Sequence, residues 1–104
     1  MSNAAPRLIP KEKFKKFLDA LVHQEHIPVS EIGRTERNEH MITVGAKTVF
    51  FSERHTHGGE RGIKESYLSE VIDAAALKYG QPGSSHYDSA RRDMKKLARK
   101  VIGF

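Results

Sequence analysis

Three histidines carry the chemistry that this sequence offers. His40 heads a short β-branched run, Met41-Ile42-Thr43-Val44, and His55 and His57 lie two apart beside Gly58, Gly59 and Gly62. An imidazole gains or loses a proton near neutral pH, which suits it to general acid or base work. In an extended segment, residues two apart face one way. His55 and His57 therefore suit either an acid/base pair on one substrate or a pair of metal ligands. A metal needs more ligands, and Glu53, Glu60 and His40 are the candidates. No His-Glu-x-x-His motif and no cysteine grid accompanies them. The expectation is of no metal and no cofactor, with His40, His55 and His57 as the candidate catalytic residues.

Counter-charge for an anionic substrate surrounds the same stretch. Arg54, Arg61 and Lys64 flank the glycines, and Gly62 stands just before an expected helix whose first backbone N–H groups would face an anion. A denser basic cluster lies further on, at Arg91, Arg92, Lys95, Lys96, Arg99 and Lys100. A helix carrying it could lie along phosphates or cross a groove. Such a run can equally form a plain solvated face, and positive charge late in a helix also complements the helix dipole.

The formal net charge of +5 over 104 residues favours acidic partners, nucleic acid first among them. The apolar fraction of 38% and charged fraction of 30% fit one small domain with a single core. The absence of cysteine excludes disulfides and thiolate metal sites and suits a reducing cytoplasm. No apolar run approaches the ~18–20 residues of a membrane span, and no signal peptide is visible. Ser2-Asn3-Ala4 reads as a tag remnant, and residues 1–9 are expected to be a disordered end preceding a domain at 10–104.

The elements that position these residues follow from periodicity. Phe14, Phe17, Leu18, Leu21 and Val22 share one helical face, which predicts a helix over Pro10–Gln24 opened by proline. Lys11, Lys13, Lys15 and Lys16 crowd its positive end, so they cost stability or meet an anion. His40 to Glu53 reads as a hairpin turned at Gly45-Ala46. Val49 and Phe51 face one way, and Thr48 and Phe50 the other. A third strand is needed for an independent sheet, and Ile32–Arg37 is the best candidate. Leu68, Val71, Ile72, Ala75 and Tyr79 predict a helix over Lys64–Tyr79, with Gly80 as its left-handed cap. Ala90, Met94, Leu97, Ala98 and Val101 predict another over Asp88–Ile102, opened by a capping box at Ser85-x-x-Asp88. The fold class is α+β: a small antiparallel sheet of two or three strands with three helices, in the order α-β-β(-β)-α-α.

That order, with Asn38-Glu39-His40 opening the first strand, resembles the HicA-type mRNA interferases, small toxins on a fold like the double-stranded-RNA-binding domain. In that family a Gly-Ser-His motif opens a strand and its histidine is needed for RNA cleavage. The run Phe50 to His55, then Gly62 to Ile72, resembles the family's strand, basic loop and helix. The resemblance spans roughly Phe14 to Leu77. It implies a metal-independent endoribonuclease in which His40 moves a proton, Arg54, Arg61 or Lys64 steadies phosphate charge, RNA is the partner ahead of DNA, and an antitoxin is a further partner.

Two other classes stand beside the enzyme. One is a non-enzymatic DNA- or RNA-binding regulator of phage or plasmid type, using Arg91, Arg92, Lys95, Lys96 and Arg99 on nucleic acid and the hairpin for dimer contacts. The other is a protein-interaction module, such as an inhibitor of another enzyme. Catalysis separates the first from these two, and salt-dependent affinity for nucleic acid separates the last.

Overall fold

Alternation decides which side chains enter the core. In the computed structural model, which describes residues 8–55 and 61–103 and only the backbone of His55 and Arg61, His40–Val44 forms β3 and Lys47–Phe51 forms β4. His40, Ile42 and Val44 are buried, as are Val49 and Phe51, while Thr48 and Phe50 are exposed. Gly45 takes a positive φ of 62° as the first turn residue, the left-handed conformation that a glycine-first two-residue hairpin requires. Val29–Arg34 forms β2. It pairs antiparallel with β3 and gives the sheet order β2-β3-β4.

The fold is α+β with antiparallel sheets and three helices, as expected, but the strands number more than two or three. Leu8–Pro10 forms β1, Glu53–His55 forms β5 and Arg61–Lys64 forms β6. These build a second antiparallel sheet in the order β1-β6-β5. Only Ser52 separates β4 from β5, so one stretch of chain passes from the first sheet into the second. The disordered end expected over 1–9 does not extend to Leu8 and Ile9. Both pair with β6, and the Ile9 side chain is fully buried.

Helix α1 covers Lys11–Glu25, α2 covers Glu65–Ala76 and α3 covers Ser85–Ile102. Phe14, Phe17 and Leu21 from α1 share one core with Ile42, Val44, Val49 and Phe51 of the first sheet, Ile9 and Ile63 of the second, and Leu68, Val71, Ile72 and Met94 of α2 and α3. Burial of that face, not intrinsic propensity, supplies most of a helix's stability. The far end of α1 closes on His26, a left-handed residue at φ 55°. Lys78 reinforces this end by donating to the Glu25 carbonyl at 2.6 Å, a cation placed where the helix dipole is negative. No described helix is long and apolar enough to cross a membrane.

Three local expectations are corrected. Gly80 is not a left-handed cap: it is absent from the positive-φ residues, and α2 ends earlier, at Ala76. Its value is space, because a Cβ there would lie 2.7 Å from Ser84 Oγ and 3.2 Å from the Tyr87 nitrogen. The cap of α3 is Ser84, not Ser85, since Ser84 Oγ accepts from the Tyr87 N–H at 3.1 Å. Gly62 stands just before α2, as expected, but in a strand and not in a loop. It lies within β6 opposite Pro10, where a Cβ would come within 2.9 Å of Leu8 Cβ.

Candidate functional site: a histidine between two carboxylates

Strand parity assembles the site. His40 shares the inward parity of Ile42 and Val44, Glu31 that of Val29, and Glu53 that of Val49 and Phe51. The ladders bring these positions together, for Arg34 pairs with His40 and His40 with Phe51. A β-bulge between Glu31 and Gly33 re-aims the edge strand, a common use of a bulge beside a site. As a result His40 Nδ1 lies 3.0 Å from Glu31 Oε1, and His40 Nε2 lies 3.4 Å from Glu53 Oε1. His40 is 7% exposed, and its imidazole stacks on Phe51, with ring centroids 4.7 Å apart and planes 9° from parallel. Phe14 also packs on Phe51, with ring centroids 5.0 Å apart and planes tilted by 50°.

Glu53 also receives Lys11, whose Nζ is 2.7 Å from Oε1. This settles the destination of one crowded lysine: at the start of α1, where the dipole disfavours it, Lys11 meets a carboxylate. Lys11, Glu53, His40 and Glu31 thus form a continuous chain of charged and polar groups. The hydrogen bond with His40 holds the Glu31 carboxyl below the ordinary glutamate range, with burial opposing and the charges of His40, Arg34 and Lys11 assisting.

The chain of groups borders a cavity of about 360 Å³ between α1 and the sheets. Its walls carry three cations, Lys11, Lys15 and Arg34, and three carboxylates, Asp19, Glu31 and Glu53, around His40. The formal charges of the walls balance, three against three, so charge alone does not draw an anion into it. Among the described residues no group of three or more histidine, cysteine, aspartate or glutamate side chains is arranged to hold a metal ion.

The other candidates fall elsewhere. His57 and Glu60 lie outside the described residues, and of His55 only the place in β5 opposite Arg61 is described. Arg54 is exposed in β5. Lys64 is half-buried, pairs with Leu8 and stands as the N-cap residue of α2.

On α3 the basic residues divide into two kinds. Arg91 Nε donates to Asp73 Oδ1 of α2 at 2.6 Å, which ties it to the neighbouring helix. Arg92, Lys95, Lys96, Arg99 and Lys100 are all exposed. They recur at three- and four-residue steps and so share one face, opposite the buried Tyr87, Ala90, Met94, Ala98 and Ile102.

The sequence reading named His40, weighed Glu53 only as a metal ligand and Lys11 only as one of four crowded lysines, and missed Glu31 and the contacts that join the four. The available signal was parity: a histidine on the inward side of a strand needs polar partners, and Glu31 and Glu53 are the carboxylates of matching parity on the neighbouring strand segments. No protein-family model matches this chain, and no curated protein or solved structure is significantly similar to it.

Proposed function

We propose that this protein binds nucleic acid, RNA or DNA, by laying the exposed face of α3 along phosphates. The observation that supports this reading is the stripe of Arg92, Lys95, Lys96, Arg99 and Lys100, exposed on one helical face with no ion pair among the described residues. Five cations held within a few turns of one another repel, and a phosphate backbone relieves that repulsion by releasing its own counterions. The test is a salt titration of affinity for a duplex and a single strand of each nucleic acid. Affinity falls linearly on logarithmic axes as salt rises, and replacing Arg92, Lys95, Lys96 and Arg99 with alanine flattens the slope. Affinity that ignores both salt and the substitutions removes α3 as the contact surface.

A second reading, RNA cleavage, is favoured by the geometry at His40. Glu31 on Nδ1 fixes the ring's orientation, leaving Nε2 directed toward the Glu53–Lys11 pair. If Nε2 exchanges Glu53 for a ribose 2′-OH, the imidazole can take that proton as the oxygen attacks the adjacent phosphorus. The leaving 5′-oxygen then takes a proton from a second acid. The balanced charge of the cavity walls ranks this reading below plain binding. Incubating purified protein with labelled RNA and chelator tests it, with His40→Asn beside the wild type. Cleavage that survives chelator and disappears in the variant supports it, and intact RNA with wild-type protein rejects it.

A further inference from the structure

The two edges of the first sheet differ. β2 is bent by the bulge between Glu31 and Gly33, whereas the β3–β4 ladder has no register shift and β4, Lys-Thr-Val-Phe-Phe, has no proline. Bulges and prolines are among the usual guards of an edge. The two-residue turn makes Val44–Lys47 a hydrogen-bonded pair, so Ile42–Val49 and His40–Phe51 are the next ones along the ladder. Thr48 and Phe50 therefore direct their backbone N–H and C=O groups away from β3, and among the described residues no strand takes them up. Beside that edge runs a groove of about 460 Å³ whose other wall is one flank of α2. Tyr67, Glu70, Ala74 and Leu77 recur along that flank at three- and four-residue steps. Phe50 and Leu77, 43% and 40% exposed, supply apolar surface.

Charge is unevenly spread along the groove. α2 begins at Glu65, shortly after Ile63, and Ile63 pairs with Glu53 just beyond the Phe51 end of β4. The helix therefore starts beside that end, and its flank runs back along β4 toward the turn, with Tyr67 and Glu70 near Phe50 and Leu77 near Lys47. Glu39 precedes His40, the partner of Phe51, so it stands at the same end, on the outer face of the sheet with Phe50. Arg91 occupies Asp73. Glu39 and Glu70 have no ion pair among the described residues. Lys47, the one cation described on the groove walls, lies at the opposite end of the strand, ~10 Å from Phe50. One end of the groove is thus acidic in a chain whose formal net charge is +5.

We infer that β4 and this groove receive an extended segment of a partner protein that carries apolar residues together with lysine or arginine. Strand addition to a sheet edge takes its affinity from main-chain hydrogen bonds and its specificity from alternate side chains. A strand laid against Thr48 and Phe50 turns its side chains alternately to the two faces of the sheet. On the inner side they meet Tyr67, Ala74 and Leu77, with Glu70 among them. On the outer side they meet Phe50, with Glu39 beside it. Each side offers apolar surface next to a carboxylate that has no cation among the described residues, and a segment with both kinds of side chain satisfies both. A phosphate backbone would meet the same two carboxylates and be repelled, so this face and the basic face of α3 suit different partners.

Panning the full chain against a random library of displayed peptides about seven residues long, the reach of an ordinary strand, tests this. The recovered peptides are expected to carry lysine or arginine together with apolar residues two positions apart. A synthetic copy of one should protect the Thr48 and Phe50 amides from hydrogen exchange, a readout on the wild-type chain. Glu70→Lys combined with Glu39→Gln, which keeps an oxygen for the Thr35 hydroxyl, should weaken that peptide by about tenfold or more. Glutamate in place of the peptide's basic residue should restore binding to this variant. Thr48→Pro removes the outward N–H, leaves the β3 ladder intact and should weaken the peptide as well. Recovery of no peptide, or only of acidic or uncharged ones, would overturn the inference. Binding that ignores the two carboxylates, or that leaves both amides exchanging as before, would do the same. Protection of those amides in the chain alone as its concentration rises would give the edge to a second copy and also overturn it.

Discussion

His40 and Glu31 meet at 3.0 Å across a β-bulge, one from the buried end of β3 and one from the exposed edge strand β2. The bulge places a solvent-facing carboxylate over a buried ring. Glu31 is lowered from its ordinary value of 4.5, first by the hydrogen bond with His40. A carboxyl whose folded pKa lies below its unfolded one stabilises the fold above the unfolded value. That contribution is lost as pH falls through the folded value. Comparing wild type with Glu31→Gln in urea melts from neutral pH downward should therefore show a stability difference that is full at neutral pH, shrinks as pH falls past the ordinary glutamate value and is lost once pH drops below the lowered folded one. The difference is small, because the Glu31 side chain is 58% exposed and water screens the pair.

His40 itself is embedded more deeply. Replacing it with alanine removes the stack on Phe51 and takes a polar partner from Glu53 in a half-dry setting. The expected loss is about 1–3 kcal/mol, measured as a lower urea midpoint with an unchanged slope. A His40→Ala variant as stable as wild type would show that the ring is held for chemistry alone and adds nothing to the fold.

These two residues also show what the sequence reveals and where it stops. The hairpin was legible because Ile42, Val44, Val49 and Phe51 alternate with less buried positions, and Gly45 marks the turn. The helices were legible because their apolar residues recur at helical steps. The second sheet was not, because its strands are only three or four residues long and its β1–β6 pairing joins the two halves of the chain, as in Ile9 with Ile63. No local pattern encodes such a contact. The same holds for the site. His40 was visible by residue type, whereas its partners Glu31, Glu53 and Lys11 come together only when two sheets and a helix converge.

The two kinds of basic residue on α3 should behave differently. Arg91 is engaged with Asp73 of α2, so Arg91→Ala should cost up to about 1 kcal/mol of stability and leave the salt dependence of nucleic-acid binding nearly unchanged. Arg92→Ala, with no such tie, should leave the urea midpoint in place and reduce the salt slope by about one unit. Parallel melts and salt titrations on the two single variants read both effects. Equal slopes lost from both would mean that Asp73 releases Arg91 when phosphate arrives.

The turn into α3 gives a fourth expectation. Ser84 Oγ accepts from the Tyr87 N–H and donates to the Gln81 carbonyl at 2.7 Å, so it has little freedom to move. Ser84→Ala should cost about 1 kcal/mol, the usual worth of an N-cap. Gly80→Ala should cost about 1–3 kcal/mol, because its new methyl meets that fixed hydroxyl and the Tyr87 backbone. In the double variant the two costs should sum to less than their total, since alanine at 84 removes the oxygen that the methyl strikes.

Gly62 separates two accounts of the same glycine. If it served a phosphate loop, Gly62→Ala would weaken nucleic-acid binding and spare stability. The geometry argues the reverse. A Cβ at 62 comes within 2.9 Å of Leu8 Cβ and 3.3 Å of Leu8 Cδ1. The nearest atom is fixed to the backbone of β1, so a rotamer change cannot clear it. Moving β1 would disturb Ile9, which is fully buried against α1 and the sheets. Gly62→Ala should therefore lower stability by about 1–3 kcal/mol while the salt slope of binding stays at its wild-type value. Removing the struck atom with Leu8→Gly should cost less in the Gly62→Ala background than alone, a coupling that a double-mutant cycle reads directly. Additive costs would mean that the two strands do not press on each other at this point, and an intact fold with lost affinity would return Gly62 to the binding surface.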